Sequence, residues 1–158
     1  KRRQKARLDF SMIVQRIFDV KKCLDILTDV DMFDSISEDG ATFDDLTVDV
    51  INNYWLGIYE GLNFIGVLLL KPIFSECFDI HIHILKKHRK HCKIAGLAII
   101  KWCKENIPGK TLHTNIPVFC KNVRWFVLSL GFKEAGVIPK VWKKNGIMND
   151  MSIFTRTV

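Results

Sequence analysis

The sequence predicts an α/β fold of the α+β kind: a mixed, mostly antiparallel sheet of six to seven strands with helices on both faces. Three observations carry this. Short segments alternate apolar and polar residues with the period of two of a half-buried strand, most clearly Phe78-Asp79-Ile80-His81-Ile82-His83-Ile84. Another segment repeats apolar residues at helical spacing, with Ile94, Ala95, Ala98, Ile99, Trp102 and Cys103. Turns at Glu60-Gly61-Leu62-Asn63 and Lys144-Asn145-Gly146 join neighbouring strand segments, so hairpins dominate the pairing. With 158 residues, 48% of them hydrophobic, the chain can build one domain around its own core.

The elements follow in order. Residues 1–11, KRRQKARLDFS, are highly charged and precede Met12, so they are expected to be a tag, a linker or a disordered basic arm, with a single domain over residues 12–158. Met12 to Ile17 reads as a strand. Asp19 then caps a helix through Cys23, Leu24, Ile26 and Leu27. Residues 29–49 are acidic, weakly periodic and broken at Gly40, which suggests a short helix and a loop. Tyr54–Tyr59 and Phe64–Leu70 are apolar strands, the second closed by Pro72. Cys77–Leu85 is the next strand, and a basic turn leads into the helix that starts near Ile94. After the turn at Pro108-Gly109, Thr111–Ile116 is a strand. Val118–Leu130 is helical and stopped by Gly131. Val137–Lys143 and Met148–Thr155 form the closing hairpin, because Asn-Gly suits a two-residue turn.

Composition narrows the function classes. The longest apolar run, Phe64–Leu70, is far too short to span a bilayer. The basic N-terminus is not followed by the apolar stretch of a signal peptide. Five cysteines without a Cys-x-x-Cys pair read as reduced thiols. The expectation is a cytoplasmic protein with no membrane partner. The net charge of +7 is uneven: residues 12–50 hold three basic and ten acidic side chains, and residues 51–158 hold sixteen and six. The second part is therefore the one that faces anions.

The centre of that part is the strand–turn–helix from Phe78 to Glu105. Lys86, Lys87, His88, Arg89, Lys90, His91 and Lys93 crowd the junction between strand and helix. A helix start already offers free N–H groups and partial positive charge, so this junction reads as an anion site, with phosphate the obvious anion. Two other readings stay open: a solvated charged turn, and a nucleic-acid contact shared with Lys121, Arg124, Lys140, Lys143 and Lys144. Trp125, Trp142 and Tyr59 are potential stacking residues for the latter, although aromatics at these spacings more often belong to a core, as Trp55 and Trp102 do. Cys92, beside cations and near a helix start, is expected to have a lowered pKa. His81 and His83 with His88, His91 and Cys92 match no strong zinc spacing, and no metal is assigned.

This order, with a basic turn opening the central helix, resembles the GNAT (GCN5-related) N-acetyltransferase superfamily, and is similar to members carried by bacteriophages. The superfamily's segment V-x-P-x-x-R-G-x-G-x-G/A falls on Ile84 for the Val, Arg89 for the Arg, and Ala95 and Gly96 for the last small positions after a one-residue insertion. Leu130-Gly131-Phe132, Lys143-Lys144-Asn145-Gly146 and Asp150 look like its helix-to-hairpin ending. Three departures stand out. Lys86 occupies the Pro position, Lys90 and Cys92 occupy glycine positions, and Val127 stands where a Tyr usually protonates the leaving thiolate. Without the glycines, phosphate meets side chains where it would approach the backbone, and lysine charge offsets part of that loss.

The resemblance implies an acyl-CoA-dependent N-acetyltransferase that moves acetyl from acetyl-CoA to a primary amine, on a small molecule or a protein. The alternative is a catalytically inactive GNAT-like module that contacts a protein or nucleic acid. The implied cofactor contacts are the backbone of Ile82, His83, Ile84 and Leu85 for the pantetheine arm. Arg89, Lys90 and the amides of Lys93, Ile94, Ala95 and Gly96 would take the pyrophosphate. Transfer also needs a group that takes the amine proton. Asp79, His81 and His83 share one strand face, and a histidine titrates near the working pH. His81 or His83 is thus a candidate base and Asp79 its orienter. The competing reading is that these rings are packed and satisfied by ordinary hydrogen bonds. The acidic stretch from Asp29 to Asp49 could attract a cationic acceptor.

Overall fold

Because the apolar faces of the strand segments alternate, one sheet can bury a layer of side chains on each side. The computed structural model of the chain describes residues 12–158, so the expectation for residues 1–11 lies outside the described residues. Its elements are β1 (Met12–Arg16), α1 (Val20–Leu27), α2 (Val30–Ile36), β2 (Tyr54–Glu60), β3 (Asn63–Phe74), β4 (Cys77–Ile84), α3 (Cys92–Asn106), β5 (Thr111–Pro117), α4 (Lys121–Ser129), β6 (Lys133–Lys144) and β7 (Ile147–Thr157). Short 3-10 turns occupy Phe43–Asp45 and Lys86–His91. The seven strands form one sheet in the order β1-β2-β3-β4-β5-β7-β6. Every neighbouring pair is antiparallel except β4 and β5.

Each face carries its own core. Under α3 and α4 lie Leu56, Leu68, Ile80, Ile84, Ile99, Leu112 and Phe154. Under α1 and α2 lie Cys23, Ile26, Leu27, Met32, Trp55 and Val67. Full burial of one such side chain stabilises the fold by about 1.5–3 kcal/mol. Asp19 caps α1 as expected, its carboxylate accepting from the Lys22 N–H at 3.1 Å. Asn145 and Gly146 both adopt positive φ, 53° and 74°, which is what the two-residue hairpin turn demands.

Several boundaries differ from the sequence expectation. Pro72 does not close β3, which runs on to Phe74 while still paired with β4. The pairing of β3 with β2 ends at Leu70, so Pro72 sits where β3 has become an edge, beside a register shift that absorbs its missing donor. The helix expected over Val118–Leu130 begins only at Lys121, because the Cys120 N–H turns back to Pro117 O. Trp125 is 76% exposed on the outer face of α4, and Trp102 is only partly covered by the core it packs against.

Candidate active site

The parallel ladder between β4 and β5 is short. It joins Cys77 to Thr111, Phe78 to Leu112 and Asp79 to His113, and then the two strands part. Leu85 N–H donates to Ile65 O on β3 at 3.0 Å. Alternation from that bond gives β3 the backbone groups of His83 and aims those of Ile82 and Ile84 toward β5, beyond the last rung of the ladder. Of the four residues expected to line a pantetheine arm, Ile82 and Ile84 thus offer their backbone to the cleft. His83 turns its backbone to β3, and Leu85 gives its N–H to β3 and its C=O to the turn that follows. Gly66 lets the two strands approach: a Cβ there would lie 2.3 Å from His83 O and 3.0 Å from Ile84 Cα.

At the last rung before the strands part sits a carboxylate between two imidazoles. Asp79 Oδ2 accepts from His81 Nε2 at 2.8 Å, and Asp79 Oδ1 accepts from His113 Nδ1 at 3.0 Å. Burial works against the charged form of Asp79. Hydrogen bonds and charge from His81 and His113 outweigh it and hold the carboxyl below its usual range. The His81 side chain is 36% exposed, that of His113 20% and that of Asp79 17%, so the opening to solvent is on the His81 side. His83 lies one turn of the pleat further along, its ring parallel to that of His81 with centroids 6.4 Å apart. It is half-buried, and burial, followed by the neighbouring His81 charge, pushes its pKa down from 6.5 to about 3. His83 therefore stays neutral near pH 7 and is a weak proton acceptor.

Two residues of this site were not singled out in the sequence, His113 and Asn115. Both lie on the same face of β5, and Asn115 keeps a buried side-chain oxygen without a hydrogen-bond partner. The signal was present, since Thr111–Ile116 alternates as Phe78–Ile84 does. What the sequence lacked was the register that sets His113 opposite Asp79.

The basic junction differs from the glycine-lined nest that an open phosphate loop would form. Lys86–His91 coil into a 3-10 turn whose amides are partly spent internally: His88 N–H donates to Leu85 O, and Cys92 N–H donates to Arg89 O. The two histidines of the run point inward. Glu60, 8% exposed at the end of β2, stands 2.8 Å from His91 Nε2 and 3.6 Å from His88 Nδ1. Lys86 pairs with Asp31 at 3.6 Å. Lys87, Arg89, Lys90 and Lys93 are exposed and make no ion pair among the described residues, so the anion-facing set is four cations without the histidines. Lys93 and Ile94 lie exposed in the first turn of α3, whereas Ala95 and Gly96 are buried. A Cβ on Gly96 would meet Leu130 at 2.6 Å, so this glycine lets α3 pack closely against Leu130. The Cys92 thiol is pushed up by burial, against the opposing charge of Arg89, and the lowered pKa expected from its neighbours is corrected accordingly. A hollow of about 460 Å³ lined by Asp29, Asp31, Leu85, Lys86 and Lys87 adjoins the end of β4.

Part of the acidic stretch is spoken for. Lys144 Nζ donates to Asp34 O, Asp34 Oδ1 and Ser37 O, and the Asn145 and Gly146 N–H groups donate to Asp39. These bonds dock the β6–β7 tip on the last turn of α2 and the segment after it. The five cysteines are free thiols, and among the described residues no group of three or more His, Cys, Asp or Glu side chains is arranged to hold a metal ion. No helix among them is long and apolar enough to cross a membrane.

Neither a protein-family model nor a curated protein matches the sequence. Solved structures do match. Spermidine N-acetyltransferase from Vibrio cholerae, in complex with CoA and spermine, superposes with a TM-score of 0.78 at 12% identity, over 92% of this chain and 95% of that one. An acetyltransferase of the GNAT family from Streptococcus pneumoniae superposes with a TM-score of 0.74 at 11% identity, over 94% and 100%. At such identities the likeness establishes the fold, and the fold is the one that the resemblance in the sequence implied.

Proposed function

We propose that this chain, which has the fold of the GNAT N-acetyltransferases, is an acyl-CoA-dependent N-acetyltransferase acting on a primary amine. The observation that carries the reading is the parting of β4 from β5 just past the Asp79–His113 rung, with His81 bound to Asp79 two residues further along β4. Unpaired backbone groups of Ile82 and Ile84 lie on one side of that rung. Arg89, Lys90 and Lys93 stand at the head of the following helix. These residues fit the cofactor: the β4 edge would hold an extended amide-bearing arm, and the cations would hold its phosphates as point charges. When bound, acetyl-CoA supplies an activated acyl group.

His81 takes the amine proton in this reading. Its Nε2 faces Asp79, which fixes the ring and leaves Nδ1 toward the open side. Asp79 orients the ring and stabilises the imidazolium that forms. Placing the amine beside the acyl carbon supplies much of the rate, since orientation alone is worth several kcal/mol (about 7–11 at best). The acceptor is a cationic amine: Asp29, Asp31 and the acidic segment after α2 lie on the same side of the sheet as the histidines, and the Vibrio cholerae relative was crystallised with spermine.

Calorimetric titration of acetyl-CoA into the wild-type protein and the Arg89→Ala variant tests this. The reading expects micromolar-range binding that weakens about 10- to 100-fold without the guanidinium, the worth of one charge-assisted hydrogen bond. A wild-type protein that takes up no acetyl-CoA at millimolar concentration would leave a GNAT-like binding module in its place.

A further inference from the structure

If transfer proceeds as proposed above, on which this inference rests, a second proton has to move, because the sulfur of the leaving thiol ends the reaction protonated. The α4 helix offers no side chain able to give up a proton toward the core: its inward residues are Phe126 and Val127, with Leu130 just past its end. Ser129 Oγ donates to Phe126 O, and Arg124 is engaged with Glu134.

We infer that His113 is a catalytic residue, the general acid that protonates the departing CoA sulfur from Nε2. Asp79 is shared by two rings, one from each side of the cleft, and the sharing is asymmetric. It binds His81 through Nε2, leaving Nδ1 free, and His113 through Nδ1, leaving Nε2 free. The more exposed ring stands where an amine enters from solvent, and the more enclosed ring belongs to the far wall of the cleft. Nitrogen bonds to the acyl carbon as the carbon–sulfur bond breaks. His81 gains the proton that the amine loses, and the sulfur gains one from His113. Before transfer His113 is the imidazolium and His81 the neutral ring; afterwards His81 is the imidazolium and His113 is neutral, its Nδ1–H still on Asp79. Solvent resets the pair at the two outer nitrogens, Nδ1 of His81 and Nε2 of His113, because Nδ1 of His113 already holds a proton and Asp79 cannot pass it another. Lys71 on β3 stands opposite Asp79, and Thr155 on β7 stands opposite His113.

Imidazole nitrogen NMR on the whole protein reads this without turnover. His113→Gln identifies the His113 signals, and Asp79→Asn, which moves the signals of both bound rings, identifies them independently if the first variant folds poorly. Titration with CoA is expected to shift His113 Nε2, whereas desulfo-CoA, identical but for the sulfur, leaves it in place while still binding by calorimetry. Equal shifts from the two ligands, or none from CoA while it binds, would overturn the assignment of His113 and leave the acetyltransferase reading standing. Failure of both ligands to bind would overturn both.

Discussion

His81 and His83 alternate along one strand and share a face, yet their surroundings give them opposite properties. His83 is half-buried and held neutral, with its pKa pushed down to about 3. A pKa lowered below its unfolded value of 6.5 makes the native state bind fewer protons than the unfolded chain. Its stability is fully present above pH 6.5 and is lost as pH falls toward 3, by up to about 1.4 kcal/mol per pH unit for one proton. Urea melts at a series of pH values check this: His83→Phe should flatten the loss between pH 6.5 and 4 relative to wild type. A variant with the wild-type slope would mean that His83 is not the group responsible. His81 keeps a route to solvent and a carboxylate behind it. Replacing it by Ala is expected to lower kcat/KM by about 10²- to 10⁴-fold with little change in the KM for acetyl-CoA, in steady-state kinetics on a responsive amine. An unchanged rate would remove His81 from proton transfer.

At the scale of elements, the cleft depends on how closely β3 and β4 approach. Gly66→Ala would drive a methyl group into His83 O and Ile84 Cα, both backbone atoms that cannot swing away. Destabilisation of roughly 1–3 kcal/mol is expected in denaturant melts, and a neutral result would show that the strands separate easily. The docked hairpin makes a second prediction. Asp39 accepts from the Asn145 and Gly146 N–H groups, which hold its carboxyl below the usual range. Asp39→Ala should speed amide exchange at the β6–β7 tip while leaving exchange in β3 and β4 unchanged. Most of these elements were legible in the sequence, because period-two alternation, the Asp19 cap and the Asn145-Gly146 turn each have a local cause. The parts that were not legible are those set by a distant partner. The extension of β3 through Pro72 depends on where β2 ends. The buried role of Gly96 depends on Leu130. The inward turn of His88 and His91 depends on Glu60, some thirty residues earlier in the chain. His113 needed the register with Asp79, which no single segment contains.

At the scale of the molecule, the acidic first third and the basic remainder meet through a few ion pairs, Lys86 with Asp31 and Lys144 with Asp34 among them. The surplus cations are left at the head of α3, on the side where the sheet opens. Lys90, which stands in place of a glycine, acts at a distance and not through backbone contact. Affinity for acetyl-CoA is therefore expected to fall steeply between about 0.05 M and 0.5 M salt, over which the screening length shrinks several-fold. An affinity indifferent to salt would point to a phosphate held by amides. The most direct test of the account is a crystal structure grown with CoA. It should place the pantetheine arm along the free edge of β4 at Ile82 and Ile84, the thiol beside Asp79, His81 and His113, and the pyrophosphate among Arg89, Lys90 and Lys93. A structure at saturating CoA with β4 and β5 still parted and no ligand between them would contradict it.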